Sequence, residues 1–535
     1  VFRHAKVDIS DLSYFVPALH GINASVFLTG DVYGYVDNLK GKNLSIEYDR
    51  ETSLKGDFSL RGLPVIEDTY MFFDLKEVST NAIGLRNLPY PPFDEHRHLE
   101  IPSNFDHLGI IDFKGEFTGY YNDFVAFGIF NTKLGKIRTD LNLHENEQGD
   151  FEYKGDIISN TFSLGKFIEY EKLSDIALDM VIEGKGISIE EIQAKAIGNI
   201  NYLIFNDYKY EDIQLNGEFT NQTFTGDLSI NDEYLSFDFK GLVDASKKRP
   251  ISNFKLKLNH SNLAKLNLFQ QEDTLTSLSF DANFDLVGYT IDNVSGNAAF
   301  SNINFKSSSL DHHVDSIILR ASGENEKRRL ILASDLLNAE VDGKFKLEQI
   351  PNTIEEYLNF YIPQNGNLIN LPTEQNFKYS VLLKNTSPIT DVFIPELKVD
   401  SATELYGVFN TENHISQLNL KSSHIKYANL DFNATDLNLS SISDSIYFSL
   451  SNNYFGFNSN ELENLKINGN LISGNSDVKI RWSGSNEKLD SGNINLKGKF
   501  HELDKIDVDF IESYFVVNDS IWQFKEPSRI KIDTS

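Results

Sequence analysis

Two short clusters of histidine and acidic residues are the segments whose composition could support metal chemistry. The first is Glu95-His-Arg-His98, in which His96 and His98 would share one face of a strand. The second is Asp311-His-His-Val-Asp315. Neither cluster has a further His or carboxylate at a recognised metal-ligand spacing. We therefore predict no metal site: the first cluster is interpreted as a solvated loop and the second as a turn before a strand at Ile317 to Ala321.

Motifs for covalent or phosphate chemistry are absent from the sequence. It contains no Gly-x-Ser-x-Gly, no His-Glu-x-x-His, no phosphate-binding glycine loop ahead of a helix and no calcium loop. Its many carboxylates fall mostly at outward strand positions and turns, although a glycosidase pair leaves no local signature because its members lie far apart in sequence. We predict that the protein is not an enzyme, with no catalytic residues and no cofactor.

Composition narrows the classes of partner. The chain has 535 residues and a formal net charge of −29, which repels the phosphate backbone of nucleic acids. Nucleic acid is therefore not an expected partner. Cysteine is absent, so the chain has no disulfide frame, and this composition suits an oxidising compartment such as the periplasm. No stretch approaches the length of apolar sequence that a membrane-spanning helix needs.

Alternation of apolar and polar residues dominates the sequence and predicts its fold. Leu235, Phe237 and Phe239 alternate with polar residues, as do many similar segments of five to nine residues bounded by Asn, Asp, Gly and Ser. A phrase of the form apolar-x-Gly-x-apolar recurs at irregular intervals, as in Phe113-Lys-Gly-Glu-Phe117. At one strand per 12–16 residues we expect roughly 30 strands.

These features predict an all-β fold: a long, curled, mostly antiparallel sheet with a hydrophobic interior and a few short helices. An open trough and a set of closed sandwiches would both produce the alternation. The bulky apolar residues and the high strand count favour the trough. The irregular spacing of the glycine phrase is not that of a regular solenoid.

Helical patterns and domain boundaries are sparse. We expect short helices at Ile187 to Ile197 and at Asn352 to Asn359, and a single turn at Asn262 to Leu268. A Pro- and His-rich insertion covers residues 88–104. A Pro- and Asn-rich seam divides the chain into residues 1–365 and 366–535, the second continuing the sheet of the first without independent domains.

Several phrases resemble the TamB (translocation and assembly module) proteins of Bacteroidetes, within the AsmA-like, bridge-like lipid-transfer group. The resemblance is carried by Phe113 to Gly128, by Thr132 to Leu143 and by Ile213 to Phe219. It extends to Phe224 to Gly241 and to the closing Tyr514 to Asp533. These phrases run through most of the chain, which would correspond to the middle of such a protein.

The resemblance implies a location and a role. Such proteins span the periplasm of a Gram-negative envelope, anchored to the inner membrane by a segment absent from this sequence. They are proposed to carry phospholipid between the two membranes and to support outer-membrane biogenesis. Their far end engages a BamA/TamA-type outer-membrane partner, here through regions outside this chain.

A groove for phospholipid acyl chains would be lined by inward apolar side chains. The candidates are Phe219, Leu235, Phe237, Phe239, Phe280, Phe284, Phe377 and Val381. Two other classes of function are compatible with the same pattern. One is a scaffold or chaperone for outer-membrane protein strands, acting with the BamA/TamA-type partner through exposed sheet edges. The other is a surface β-solenoid adhesin or polysaccharide binder, which the presence of only two Trp residues disfavours.

Overall fold

A computed structural model of the chain describes most of its residues. The described ranges are 1–20, 22, 24–48, 50–89, 98, 101–147, 149–186, 191–268, 277–307, 310–362, 374–458, 460–483, 491–502, 505–517, 519–524 and 526–533. His96 and most of the predicted insertion at 88–104 lie outside these ranges. So does the predicted boundary between residues 365 and 366.

Strands account for most of the described chain, as the alternation predicts. The first sixteen are β1 (Phe2–Asp8), β2 (Ser25–Tyr35), β3 (Asn38–Tyr48), β4 (Thr52–Arg61), β5 (Tyr70–Thr80), β6 (Ile111–Tyr120), β7 (Asp123–Thr132), β8 (Gly135–Glu145), β9 (Phe151–Phe162), β10 (Leu173–Lys185), β11 (Gln193–Phe205), β12 (Tyr208–Thr220), β13 (Thr223–Asn231), β14 (Leu235–Asp244), β15 (Ile251–Ser261) and β16 (Ser277–Val287). The following sixteen are β17 (Ser295–Lys306), β18 (Asp311–Ser322), β19 (Arg328–Ser334), β20 (Leu337–Lys344), β21 (Asn376–Leu383), β22 (Leu397–Val399), β23 (Thr403–Asn410), β24 (Ile415–Tyr427), β25 (Leu430–Ile442), β26 (Ser445–Phe457), β27 (Asn460–Ile472), β28 (Asn475–Ser483), β29 (Gly492–Glu502), β30 (Lys505–Val517), β31 (Ser520–Gln523) and β32 (Ser528–Asp533).

Helices are few and short. They are α1 (Ile9–Leu12), α2 (Ala82–Asn87), α3 (Leu164–Phe167), α4 (Ile350–Tyr361) and α5 (Ser387–Phe393), with 3-10 turns at Pro17–Leu19, Ser103–Leu108, Asn325–Lys327 and Leu347–Gln349. The strands form a 32-stranded antiparallel sheet. An all-β fold with a mostly antiparallel sheet and a few short helices is therefore confirmed.

Three local predictions can be compared directly with these elements. The helix expected at Asn352 to Asn359 is present as α4, but it begins earlier, at Ile350, so Asn352 is not its cap. The helix expected at Ile187 to Ile197 is wrong over its described part, because β11 begins at Gln193. The turn expected at Asp311 to Asp315 is also wrong, since these residues open β18.

The chain divides into two compact units. Unit 1 comprises Val1–Lys248 and Phe254–Leu278, and unit 2 comprises Arg249–Asn253 and Ser279–Ser535. In unit 1, each strand from β1 to β14 pairs with the next one in sequence. In unit 2, neighbours from β17 to β21 and from β23 to β30 pair likewise; β21 pairs with β23, and β22 pairs with β24.

Bulges interrupt several strands, and one in β3 shows how the sequence specifies them. The pairing of β3 with β4 shifts between Gly41 and Leu44, and Asn43 has a φ of 50°. The Asp57 carboxylate accepts hydrogen bonds from the Asn43 N–H at 2.7 Å and from Lys42 Nζ at 2.9 Å. Asparagine tolerates the left-handed conformation, and a bulge increases the local twist of a strand.

We call the side of the sheet that carries the alternating apolar residues the apolar face. In unit 1, short helices and turns cover part of this face. Buried residues beside α2, α3 and the 3-10 turn at Ser103–Leu108 form one cluster, consisting of Leu108, Ile111, Leu134, Phe162 and Ile176. The predicted turn at Asn262 to Leu268 is present, and it inserts the fully buried Leu266 against Tyr210, Ile213 and Ile230.

Candidate functional site

The apolar face of unit 2 carries an unbroken row of aliphatic side chains. Each member lies directly opposite the next on the adjacent strand, from β23 to β29: Leu405, Leu420, Leu437, Leu450, Ile467, Ile480 and Ile494. All seven are half-buried, so part of each side chain remains exposed. With strands about 4.8 Å apart, this aliphatic row is about 29 Å long.

The opposite side of the same strands is polar. Each row residue from β24 to β29 has a neighbour in sequence that is polar. These neighbours also lie directly opposite one another on adjacent strands: Asn419, Asn438, Ser449, Asn468, Lys479 and Asn495. Because successive residues of a strand point to opposite faces, the two sets lie back to back. Unit 2 therefore has one face suited to hydrocarbon and one suited to water.

The apolar face of unit 1 carries a row of phenylalanine side chains. Ring centroids are separated by 6.2 Å between Phe58 and Phe73, 5.8 Å between Phe73 and Phe117, and 4.3 Å between Phe117 and Phe124. These four rings come from β4, β5, β6 and β7. All four are half-buried, and we refer to them as the aromatic row.

A second group of rings crosses β12 to β15 of unit 1. Phe219 lies opposite Phe224, whose ring centroid is 5.9 Å from that of Phe239. Phe239 in turn lies 4.9 Å from Phe254. Two predicted residues, Phe219 and Phe239, therefore lie on the apolar face within a continuous group of half-buried rings.

The other six predicted residues occupy four different environments. Leu235 and Phe237 pack against the cluster that contains Leu266. Phe280 and Phe284 both contact the ring of Phe300, with centroid separations of 5.6 and 5.4 Å.

In unit 2, Val381 lies opposite Leu405 and extends the aliphatic row to β21. Phe377 is only 7% exposed and belongs to the cluster beneath α4. The sequence prediction thus found one residue that adjoins the aliphatic row, Val381, and two in the ring group of β12 to β15, but it missed the whole aromatic row of Phe58, Phe73, Phe117 and Phe124. It also missed the aliphatic row from Leu405 to Ile494.

Two glycines of unit 1 are covered by aromatic rings, and one of them, Gly217, belongs to the recurring phrase. A Cβ added at Gly217 would overlap the ring of Phe224, and one added at Gly41 would overlap that of Phe58. The notch that each glycine leaves in the apolar face is thereby filled by a side chain from the neighbouring strand. This arrangement resembles the aromatic rescue of glycine known in sheets, and it keeps the surface continuous.

Helix α4 covers one part of the apolar face in unit 2. Its Tyr357 ring lies 5.0 Å from the ring of Phe409, and Tyr357 and Tyr361 are buried with Phe377. The Tyr357 hydroxyl shares a hydrogen bond of 2.5 Å with the hydroxyl of Ser441. The Tyr361 hydroxyl donates to that of Tyr357 at 3.1 Å, and burial raises the pKa of Tyr361.

The beginning of α4 is held by a buried ion pair. Arg328, whose side chain is 4% exposed, lies 3.5 Å from the Asp292 carboxylate and over the ring of Phe345. Asp292 also accepts a hydrogen bond of 2.7 Å from the Leu347 N–H, in the 3-10 turn that leads into α4. Burial lowers the pKa of Arg328, opposed by the attraction of Asp292. At the other end of α4, Gly474 N–H donates to the Tyr361 carbonyl at 2.7 Å.

The two histidines of the Asp311 to Asp315 cluster have ordinary polar partners. His313 hydrogen-bonds Asn304 at 2.7 Å and Asp315 at 2.8 Å, and His312 lies 3.3 Å from Asp391 in α5. His98 sits in an isolated bridge with Pro89. Within the described ranges, no three His, Cys, Asp or Glu side chains are grouped as metal ligands.

No described helix has the length and apolar composition needed to cross a membrane. Comparison with known proteins gave no match to a family model, to a curated protein or to a solved structure. The fold and the rows on its apolar face are therefore the basis for assigning a function.

Proposed function

We propose that this chain carries the acyl chains of phospholipids along its apolar face, as a section of a periplasmic bridge between inner and outer membranes. The observation that supports this most directly is the aliphatic row, in which Leu and Ile from seven strands stay half-buried. Each methylene removed from water against such a surface contributes about 0.8 kcal/mol. No covalent step is needed, so the protein acts without catalysis.

Charge and sequence add separate support. A net charge of −29 keeps an extended apolar surface soluble and discourages adsorption to anionic lipid headgroups. The phrases at Phe113 to Gly128 and Phe224 to Gly241 resemble those of TamB proteins, whose proposed roles in lipid movement and outer-membrane biogenesis agree with this function. A BamA/TamA-type partner would be engaged by regions outside this chain.

Site-specific photo-crosslinking tests the proposal. A benzophenone amino acid would replace Leu437 or Ile467 in the aliphatic row, and Asn438 or Asn468 on the opposite face as matched controls. After incubation with vesicles of phosphatidylethanolamine and phosphatidylglycerol, we expect phospholipid adducts at the row positions alone. Equal labelling of both faces, or no lipid adduct at either row position, would refute the proposal.

Substitution gives an independent measurement. Leu437→Asp and Ile467→Asp place a carboxylate on the row, and should abolish the phospholipid that mass spectrometry detects with the purified chain. Asn438→Asp and Asn468→Asp add the same charge on the opposite face and should leave bound phospholipid unchanged. Loss of lipid in all four variants would mean that charge, not the row, determines binding.

A further inference from the structure

Beneath α4, unit 2 has an apolar cavity of about 460 Å³ that is open on one side. Its roof is formed by Ile350, Ile354 and Leu358 of α4, and its floor includes Val341, Leu418 and Leu439 of the sheet. No charged side chain lines it. Three other cavities in the described part of the chain differ in this respect, since each has charged side chains in its lining, such as Glu183 and Lys195 in one of them.

The two tyrosine hydroxyls at this cavity are already bonded within the protein. The Tyr379 hydroxyl donates to the Gln417 carbonyl at 3.1 Å, and burial raises the pKa of Tyr379, which keeps it a neutral donor. The Tyr357 hydroxyl is bonded to Ser441. Most of the surface that the lining presents is therefore hydrocarbon, and pockets lined in this way accept apolar ligands.

The cavity adjoins the aliphatic row. Leu418 in its floor is two residues from Leu420 of the row on β24, and Leu439 is two residues from Leu437 on β25. Residues two apart in a strand share a face and lie about 7 Å apart. Ile354 lines the cavity and is still 44% exposed, so the cavity opens to solvent beside this residue.

We infer that the cavity beneath α4 is a discrete binding site for the methyl end of one hydrocarbon chain. The roof is fixed at both ends, by Arg328 and Asp292 before α4 and by the hydrogen bond from Gly474 to Tyr361 after it. The site is therefore preformed, and binding does not require α4 to move. Unlike the row, it has apolar side chains on two sides, from α4 and from the sheet, so it would hold one chain end in place beside the row.

The test uses the whole chain with methyl-labelled Ile and Leu, and stearic acid that carries a nitroxide near its methyl end. We expect the methyl signals of Ile350, Leu418 and Leu439 to be lost to paramagnetic broadening. Phosphatidylcholine with the same labelled chain forms the second arm, which distinguishes a free fatty acid from a phospholipid as the source of the chain. Broadening of these methyls in neither arm would overturn the inference.

Two variants at the mouth of the cavity make the test specific. Ile354→Trp fills the opening and Ile354→Glu places a charge there; both should restore the signals of Leu418 and Leu439. Because residue 354 is partly exposed, both changes are compatible with folding. Glu355→Trp, one position along α4 on its solvent side, is the matched control and should leave the broadening unchanged. Equal effects of Trp at 354 and 355 would overturn the inference.

The signals of Ile480 and Ile494 separate this inference from the proposed function. These residues belong to the aliphatic row and lie two and three strands beyond β26, the strand that carries Ile446 of the cavity lining. Broadening of these methyl signals, with those of Leu418 and Leu439 unchanged, would support lipid binding along the row and exclude binding in the cavity. Broadening confined to the cavity would support the chain-end site and count against transport along the row.

Discussion

The ring of Phe448 in β26 lies over the backbone of Gly469 in β27. The two residues are direct partners in the sheet, and a Cβ at residue 469 would overlap the ring atoms Cζ and Cε1 of Phe448. The glycine is thus required by its neighbour's side chain, because its own backbone does not have the positive φ that only glycine adopts readily.

Gly469→Ala should lower the free energy of unfolding by about 1–3 kcal/mol, because the added methyl group must displace the Phe448 ring. Adding Phe448→Leu to this variant should recover part of the loss, which urea denaturation of the single and double variants would measure. Gly456→Ala in β26 is the control, since the nearest atom to a Cβ there is Tyr454 Oη at 3.3 Å. Equal losses at 456 and 469 would contradict the steric explanation.

Asp292→Asn should destabilise unit 2 by about 3 kcal/mol, because it leaves the buried guanidinium of Arg328 without a carboxylate. The same change also weakens the hydrogen bond to the Leu347 N–H ahead of α4. Asp311→Asn provides the comparison: Asp311 pairs with Lys306 on the surface, and such exposed pairs contribute about 0–1 kcal/mol. Chemical denaturation should rank the two variants in this order.

Asp244 should make the stability of unit 1 fall in acid. Hydrogen bonds from the Ser246 hydroxyl and N–H lower its pKa from 3.8 to about 2, with further contributions from Lys247 and Thr223. A lowered folded-state pKa stabilises the folded protein above the unfolded value, and this contribution disappears as pH falls from about 4 to about 2. In Asp244→Asn the pH dependence of unfolding in this window should be shallower, whereas Asp227→Asn, at a half-exposed site, should retain it. An unchanged slope in Asp244→Asn would contradict this account.

Ser441→Ala should destabilise the protein by about 1–3 kcal/mol, because it leaves buried hydrogen-bonding groups without a partner. The Ser441 hydroxyl accepts from the Ser416 N–H at 2.7 Å and bonds the Tyr357 hydroxyl at 2.5 Å. Ser440→Ala, one residue earlier on the opposite face, should change the free energy of unfolding much less. The near-ultraviolet circular dichroism of tyrosine should respond only to the change at 441.

The sequence predicted which residues lie in strands better than it predicted which residues of neighbouring strands face each other. Alternation placed Leu235, Phe237 and Phe239 in one strand, now β14. The aliphatic row also depends on pairing register, which the two-residue loops between strands set. Ala428 and Ser443 adopt positive φ in two of these loops. Neither residue belongs to an Asn-Gly or Asp-Gly turn, the sequences from which the register of a hairpin can be inferred.

Local propensity misled the prediction where pairing overrode it. Ala194 favours a helix, but it lies in β11 between Gly184 of β10 and Phe219 of β12. Similarly, Val314 belongs to the alternation of β18, where it is 3% exposed, although the His and Asp residues around it suggested a turn. The helix α4 was visible in the sequence, but its docking over Phe377 is a long-range contact that periodicity does not encode.

The pairing of each strand with its neighbour in sequence has a consequence for how the length of this protein can change. The aliphatic row takes one residue from each strand, so each hairpin of two strands contributes two residues. Every added strand extends the row by about 4.8 Å. Duplication or deletion of a whole hairpin within this part of unit 2 would therefore lengthen or shorten the apolar surface while leaving the partners of distant strands unchanged. The length of the apolar surface can therefore change through insertion of hairpins, without redesign of a common core.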